Sequence, residues 1–309
     1  MKRKIFCFSS FFSVVFVMFI SAACSNANNS VIPTDTTEED DLRTFIFPID
    51  DDLDSSINSI TESCRIKLDG EISPEMLQDI GSALQSLYTQ NSDIRIELDL
   101  SLTTGLEIMP HEGFRGCLSL ESIVFPEGLI TVEVEPFDHL DNLKKVYFPS
   151  TVNSIGAKLL TGCYSFERLS LSENNPNFML VNDVLYTKDY AKLLAYPIYK
   201  TNRTFVIPSQ VHEIQKVAFE GNTHLQNITV PSGITCIDEL VFLNCVNLSK
   251  VILPSSITSL KQSAFRGCGK LTEICFRGTQ TQWESIEKED DWNEGCPSNM
   301  TIIYNYEED

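Results

Sequence analysis

Residues 264–279 read AFRGCGKLTEICFRGT. They restate VFLNCVNLSKVILPSS, which begins at Val241, and AFEGNTHLQNITVPSG, which begins at Ala218. The step is 23 residues each time. A globular enzyme core has no reason to hold such a period. A chain that stacks similar turns must hold it, because each turn buries its apolar face only against its neighbours.

Working outward, the apolar triplet of this stretch, Leu271/Ile274/Phe276, recurs as Leu120/Ile123/Phe125, Leu143/Val146/Phe148, Phe166/Leu169/Leu171, Leu225/Ile228/Val230 and Leu248/Val251/Leu253. Its spacing is the L-x-x-L-x-L strand signature of leucine-rich repeats. An aromatic anchor precedes each strand at Phe114, Phe137, Phe219, Phe242 and Phe265, with Leu160 standing in once. Pro126, Pro149, Pro208, Pro231 and Pro254 follow the strands. Proline has no N–H and a fixed φ, so it ends a strand and starts a bend.

The pattern AF-x-G-C-x-x-L-x-x-I-x-x-P resembles the BspA-like subfamily of bacterial leucine-rich repeats, directly over residues 98–276. The resemblance implies a leucine-rich-repeat solenoid with a parallel sheet and short irregular turns. It also implies a surface protein that binds host or neighbouring-cell macromolecules. One interval breaks step: Leu160 to Phe219 is 59 residues. It contains NPNFMLVNDVLYTKDYAKLLAYP, read as strands joined by tight turns at Asn182-Asp183 and Lys188-Asp189, a β-hairpin insert over about 174–203. The segment after Phe276 resembles the closing cap of the same group, so Trp283 and Trp292 are expected in cap core. Residues 55–97 read as an N-terminal capping unit: the alternating strand CRIKL, then Ser73-Pro74 as helix cap and first helical residue, then Leu77, Ile80, Leu84 and Leu87 at helical spacing. About eight rungs at roughly 4.8 Å would make a sheet of roughly 40 Å.

The leading segment has another character. Met1-Lys2-Arg3-Lys4, an apolar run from Ile5 to Ile20 and Ser21-Ala22-Ala23 form a basic, apolar and small-residue series, read as a signal peptide over 1–23. Cys24 follows directly, and the stretch resembles the lipobox of bacterial lipoproteins, which implies that Cys24 carries lipid. Residues 24–54 are polar and then strongly acidic, and are read as an extended tether. The expected location is exported and lipid-anchored to a bacterial membrane, at the outer membrane or cell surface. The alternative is a periplasm-facing scaffold.

The chain carries 43 acidic against 23 basic residues, a net charge of −20. Such a surface repels phosphate backbones, so no nucleic-acid partner is expected. Chemistry is sparse. Cys117, Cys163, Cys245 and Cys268 share one column with Leu140 and Asn222, which marks a structural position, and free buried thiols are expected there. No C-x-x-C occurs, and His111, His139, His212 and His224 come with no nucleophile motif. No enzyme activity, cofactor or metal is expected. What remains is a surface: alternation turns one column outward as Ser122, Lys145, Arg168, Asn227, Lys250, Glu273 and the next as Val124, Tyr147, Ser170, Thr229, Ile252, Cys275. The candidate partner-binding residues are therefore Lys145, Tyr147, Arg168, Asn227, Thr229 and Lys250. The expected partner is an extracellular protein or glycan, with membrane contact through the N-terminal lipid, and the chain is expected to be monomeric.

Overall fold

Each turn's apolar triplet forms the inward side of a strand, and the strands stack in parallel register in a computed structural model that describes residues 42–307. The first sheet runs Thr44–Pro48, Cys64–Glu71, Ile96–Thr104, Leu120–Val124, Lys145–Phe148, Arg168–Leu171. The second runs Thr204–Val206, Asn227–Thr229, Lys250–Leu253, Glu273–Phe276, Thr301–Ile303. Two-residue strands on the far side of each turn stack likewise, as Ile108–Met109, Thr131–Val132, Ser154–Ile155 and as Cys236–Ile237, Ser259–Leu260, Glu287–Lys288. The fold is a leucine-rich-repeat solenoid with little helix. Among the described residues no helix is long and apolar enough to cross a membrane.

The aromatic anchors form a ladder through the second half. Phe219, Phe242 and Phe265 follow one another with ring centroids 5.0 and 5.1 Å apart. Tyr196 extends the ladder at one end and Trp292 at the other, at 4.9 and 6.0 Å. Trp283 and Trp292 meet edge to face at 6.3 Å, within the C-terminal cap. The cap's helix Gln280–Ser285 opens with a capping box between Thr279 and Gln282. Ser73 accepts from the Met76 amide at the head of helix Pro74–Gln90.

Two backbone positions per turn lie in the left-handed region. One is the residue two before the anchor: Glu112, Glu135, Lys158, Val217, Leu240 and Ser263. The other precedes the cysteine column: Gly116, His139, Gly162, Gly221, Asn244 and Gly267. The second explains the glycine of the repeat, since only glycine enters this region without a Cβ penalty. At Gly267 a Cβ would also come within 2.3 Å of the Asn244 carboxamide one turn away.

Hydrogen bonds tie each turn to the one before. The thiols of Cys163, Cys245 and Cys268 donate to the carbonyls of Phe137, Phe219 and Phe242, each 26 residues earlier, at 3.4, 3.0 and 3.2 Å. Where the column holds asparagine, the bonding is denser. Asn222 donates to the carbonyls of Pro197, Ile198 and Lys200 and accepts from the amides of His224 and Leu225. Asn175, at the start of the insert, does the same for Pro149, Ser150 and Val152 and for Asn177 and Phe178.

The structure departs from three sequence expectations. The tether read over 24–54 gives way at Thr44, where Thr44–Pro48 pairs in parallel with Cys64–Glu71. Phe45 and Phe47 alternate against the core there, and their apolar contact outweighs the acidic residues that follow. Residues 64–71 and 96–104 are rungs of the same sheet, so the N-terminal unit continues the solenoid. The run of rungs is also divided. The insert forms its own sheet of Phe178–Val181, Val184–Thr187, Lys192–Ala195 and Glu213–Ile214, with its first two pairs antiparallel. Asn182 and Asp183 sit at φ 49° and 64°, the backbone that a tight two-residue hairpin turn requires. Thr204–Val206, which had been placed at the insert's border, is the first strand of the second sheet.

The column yields a stability ranking. Asn222→Ala removes five hydrogen bonds at a site with no exposure, and should cost about 2–4 kcal/mol by urea unfolding. Cys245→Ala removes one weak bond and a small volume, and should cost about 1 kcal/mol. Equal losses would contradict the asparagine's role.

Candidate functional site

Of the two hollows in the structure, neither brings catalytic groups together. The smaller, about 30 Å³, lies where the insert leaves the solenoid and is lined by Lys158, Thr161, Tyr196, Lys216 and Glu220 among others. Burial pushes the Glu220 carboxyl upward, against the hydrogen bond from Thr161. The larger, about 430 Å³, is an open groove between helix Pro74–Gln90 and the turn at His111–Cys117. Cys117 and His111 both reach it, but neither is poised for attack. The Cys117 thiol donates to the Gly81 carbonyl at 3.1 Å, and burial pushes it up to about 12. The His111 Nδ1 lies 2.7 Å from the Val134 carbonyl oxygen. A reactive cysteine needs a depressed pKa. Among the described residues no group of three or more His, Cys, Asp or Glu could hold a metal ion.

The outward strand faces remain. Register pairs Ser122 with Lys145 and Lys145 with Arg168, and in the next column Val124 with Tyr147 and Tyr147 with Ser170. Lys145 and Arg168 are exposed and Tyr147 is half-buried, while Val146 and Leu169 between them point into the core. These three candidates therefore share one patch on the first sheet. Sequence reasoning missed Tyr199. Its hydroxyl bonds to the Leu169 backbone beside Arg168, and burial holds it up at about 12. Tyr199 follows the insert, whose irregular length hides its register.

The other three candidates do not join that patch. Arg168 ends the first sheet, and Asn227 lies in the second, beside Thr204. Asn227 bonds weakly to the Thr204 hydroxyl at 3.5 Å. Thr229, Ile252 and Cys275, outward by alternation, are buried at 9, 5 and 0 % exposure. The chain end returns to this side. Asn305 turns at φ 50°, and the Tyr306 amide donates to the Phe276 carbonyl at 3.1 Å. The Lys250 ammonium then donates to the Tyr306 hydroxyl at 3.1 Å and sits 4.7 Å from its ring centroid. That hydrogen bond holds the Lys250 ammonium above its ordinary value. Lys250 and Thr229 are thus corrected: one is engaged by the tail and the other is buried. Cys24 and the leader lie outside the described residues.

With this geometry in place, the relatives can be compared. The BspA type leucine rich repeat region matches in six copies over residues 92–179 and 198–289. The chain belongs to the BspA-type leucine-rich-repeat family. Repeat proteins of this kind are generally non-enzymatic. Among solved structures, the pneumococcal vaccine antigen PcpA superposes with a TM-score of 0.53 at 17% identity, over 84% of this chain and 70% of that one. A leucine rich cell surface protein from Faecalibacterium prausnitzii aligns with a TM-score of 0.47 at 18% identity, over 80% of this chain and 82% of that one. Among curated proteins none matches the chain.

The buried thiols give the BspA-type chain a pH limit. Desolvation pushes both Cys117 and Cys245 up to about 12, so the fold keeps them neutral where an unfolded chain ionises them. Their folded pKa is the raised one, so their contribution is complete below the ordinary thiol value and is lost as pH climbs towards 12. Urea midpoints should fall between about pH 8 and about pH 10.5, and Cys245→Ala should make that fall shallower. An unchanged slope would contradict the account.

Proposed function

We propose that the protein is a non-enzymatic, exported surface lipoprotein whose solenoid binds an extracellular protein or glycan of a host or neighbouring cell. The family and the surface-antigen character of its relatives support an interaction or adhesion module. The observation that carries the reading to a site is the clustering of Lys145, Tyr147 and Arg168 on adjacent rungs in a chain of net charge −20. Solubility does not require such a cluster, and Tyr and Arg are over-represented in binding hot spots. Anchoring through lipid on Cys24 fits an acidic chain, which anionic headgroups would not hold by charge.

Tyr147→Ala and Arg168→Ala remove no inward side chain, so the fold should persist with little change in stability. Binding of intact target cells or matrix should weaken about fivefold or more for either variant. Undiminished binding by the folded double variant would move the site off this face. Cys24→Ser should abolish fatty-acid labelling and release the chain from membranes, and a variant that still labels would overturn the lipoprotein reading.

A further inference from the structure

Cations on the long strands of this protein are placed opposite carboxylates, with one exception. Arg65 faces Glu97, Lys67 faces Asp99, Lys192 faces Glu213 and Lys250 faces Glu273 in strand register. The Lys67–Asp99 and Lys192–Glu213 pairs close at 3.1 and 2.7 Å, and Arg65 bonds Glu97 directly. Lys145 faces Arg168. Like charges directly opposite on neighbouring strands destabilise a sheet. The neighbouring carboxylates do not relieve this pair. Glu121 and Glu167 lie one position earlier, around Lys144, which bonds Glu121 and is held above its ordinary value first by that bond.

We propose that the facing Lys145–Arg168 pair seats a carboxylate of an acidic polysaccharide, with Tyr147 against the sugar ring. This rests on the interaction-module reading above and adds the chemistry of the partner. Two cations on adjacent strands can both donate to one carboxylate, and charge-assisted bonds of this kind are the strong ones. Tyr147 lies one outward position along from Lys145, flanked in register by Val124 and Ser170, so short side chains border its ring. A sugar ring, apolar on its faces and hydroxylated at its edges, suits an aromatic beside serines and cations. An acidic peptide fits less well, because both neighbours of strand Lys145–Phe148 already pair with it. No free strand edge lies under the patch to accept an added strand.

The test uses the full chain with polygalacturonate as probe, dextran as the neutral polymer and polyglutamate as the acidic peptide. Binding to polygalacturonate should exceed binding to both others, and should fall with salt. Lys145→Glu is the decisive variant. It should lose affinity for polygalacturonate at least about tenfold, yet melt at a higher temperature than the parent, since it sets a carboxylate opposite Arg168 as Glu97 stands opposite Arg65. Tyr147→Ala should weaken binding with an unchanged melting temperature. Lys261→Ala, on the far side of the turns where Lys261 pairs with Glu289, should leave both unchanged. Retained binding by Lys145→Glu, a lowered melting temperature in that variant, equal binding of polyglutamate, or no binding of polygalacturonate would each overturn the proposal. In the last two cases a cell-binding defect of Tyr147→Ala or Arg168→Ala would still support the interaction module. Absence of any such defect would remove that reading as well.

Discussion

Every rung of this protein depends on its neighbour for hydrogen bonds that it cannot make by itself. A turn of 23 residues leaves inward carbonyls at the bend before the next strand, and burying them unpaired would cost more than a turn's apolar contacts return. The column one residue beyond the repeat's glycine meets this need. Cysteine there donates to a single carbonyl of the preceding turn, whereas Asn175 and Asn222 each hold three carbonyls and two amides. The two asparagines stand at the start of the insert and at the first full turn beyond it. The denser bonding is therefore found where the regular stack is interrupted.

The same dependence between neighbours shapes the surface. Because successive rungs hold strict register, side chains align in columns, and any charge is judged against the charge one rung away. Arg65, Lys67 and Lys250 obey the pairing rule and Lys145 with Arg168 breaks it. The second sheet carries no equivalent open patch near Lys250, since the returning tail brings Tyr306 onto that lysine. Two similar faces thus have different availability. One is bounded by the insert and Tyr199, and the other is covered by the chain's own end.

Much of this was legible in the chain, for a physical reason. A stacked turn repeats its apolar spacing, so strands such as Lys145–Phe148 and Glu273–Phe276 announce themselves through their neighbours. The asparagine role was legible too, as Asn-x-x-Phe at 175–178 and Asn-x-x-Leu at 222–225, in step with the Cys-x-x-Leu of other turns. Thr204–Val206 escaped because Asn202 occupies the place of the leading leucine, leaving only Phe205 and Ile207 of the triplet. Thr44–Pro48 escaped because two phenylalanines were outweighed by the aspartates around them. The cover over Lys250 was beyond reach of pattern, since it joins residues 56 apart through one left-handed residue, Asn305.

Hydroxyl-radical footprinting of the full chain tests most directly whether the first face is open and the second closed. The account predicts rapid oxidation of Tyr147 and slow oxidation of Tyr306, Ile252 and Cys275, with the last two accelerating in a chain ending at Ile303. Equal rates at Tyr147 and Tyr306, with no change on truncation, would contradict it.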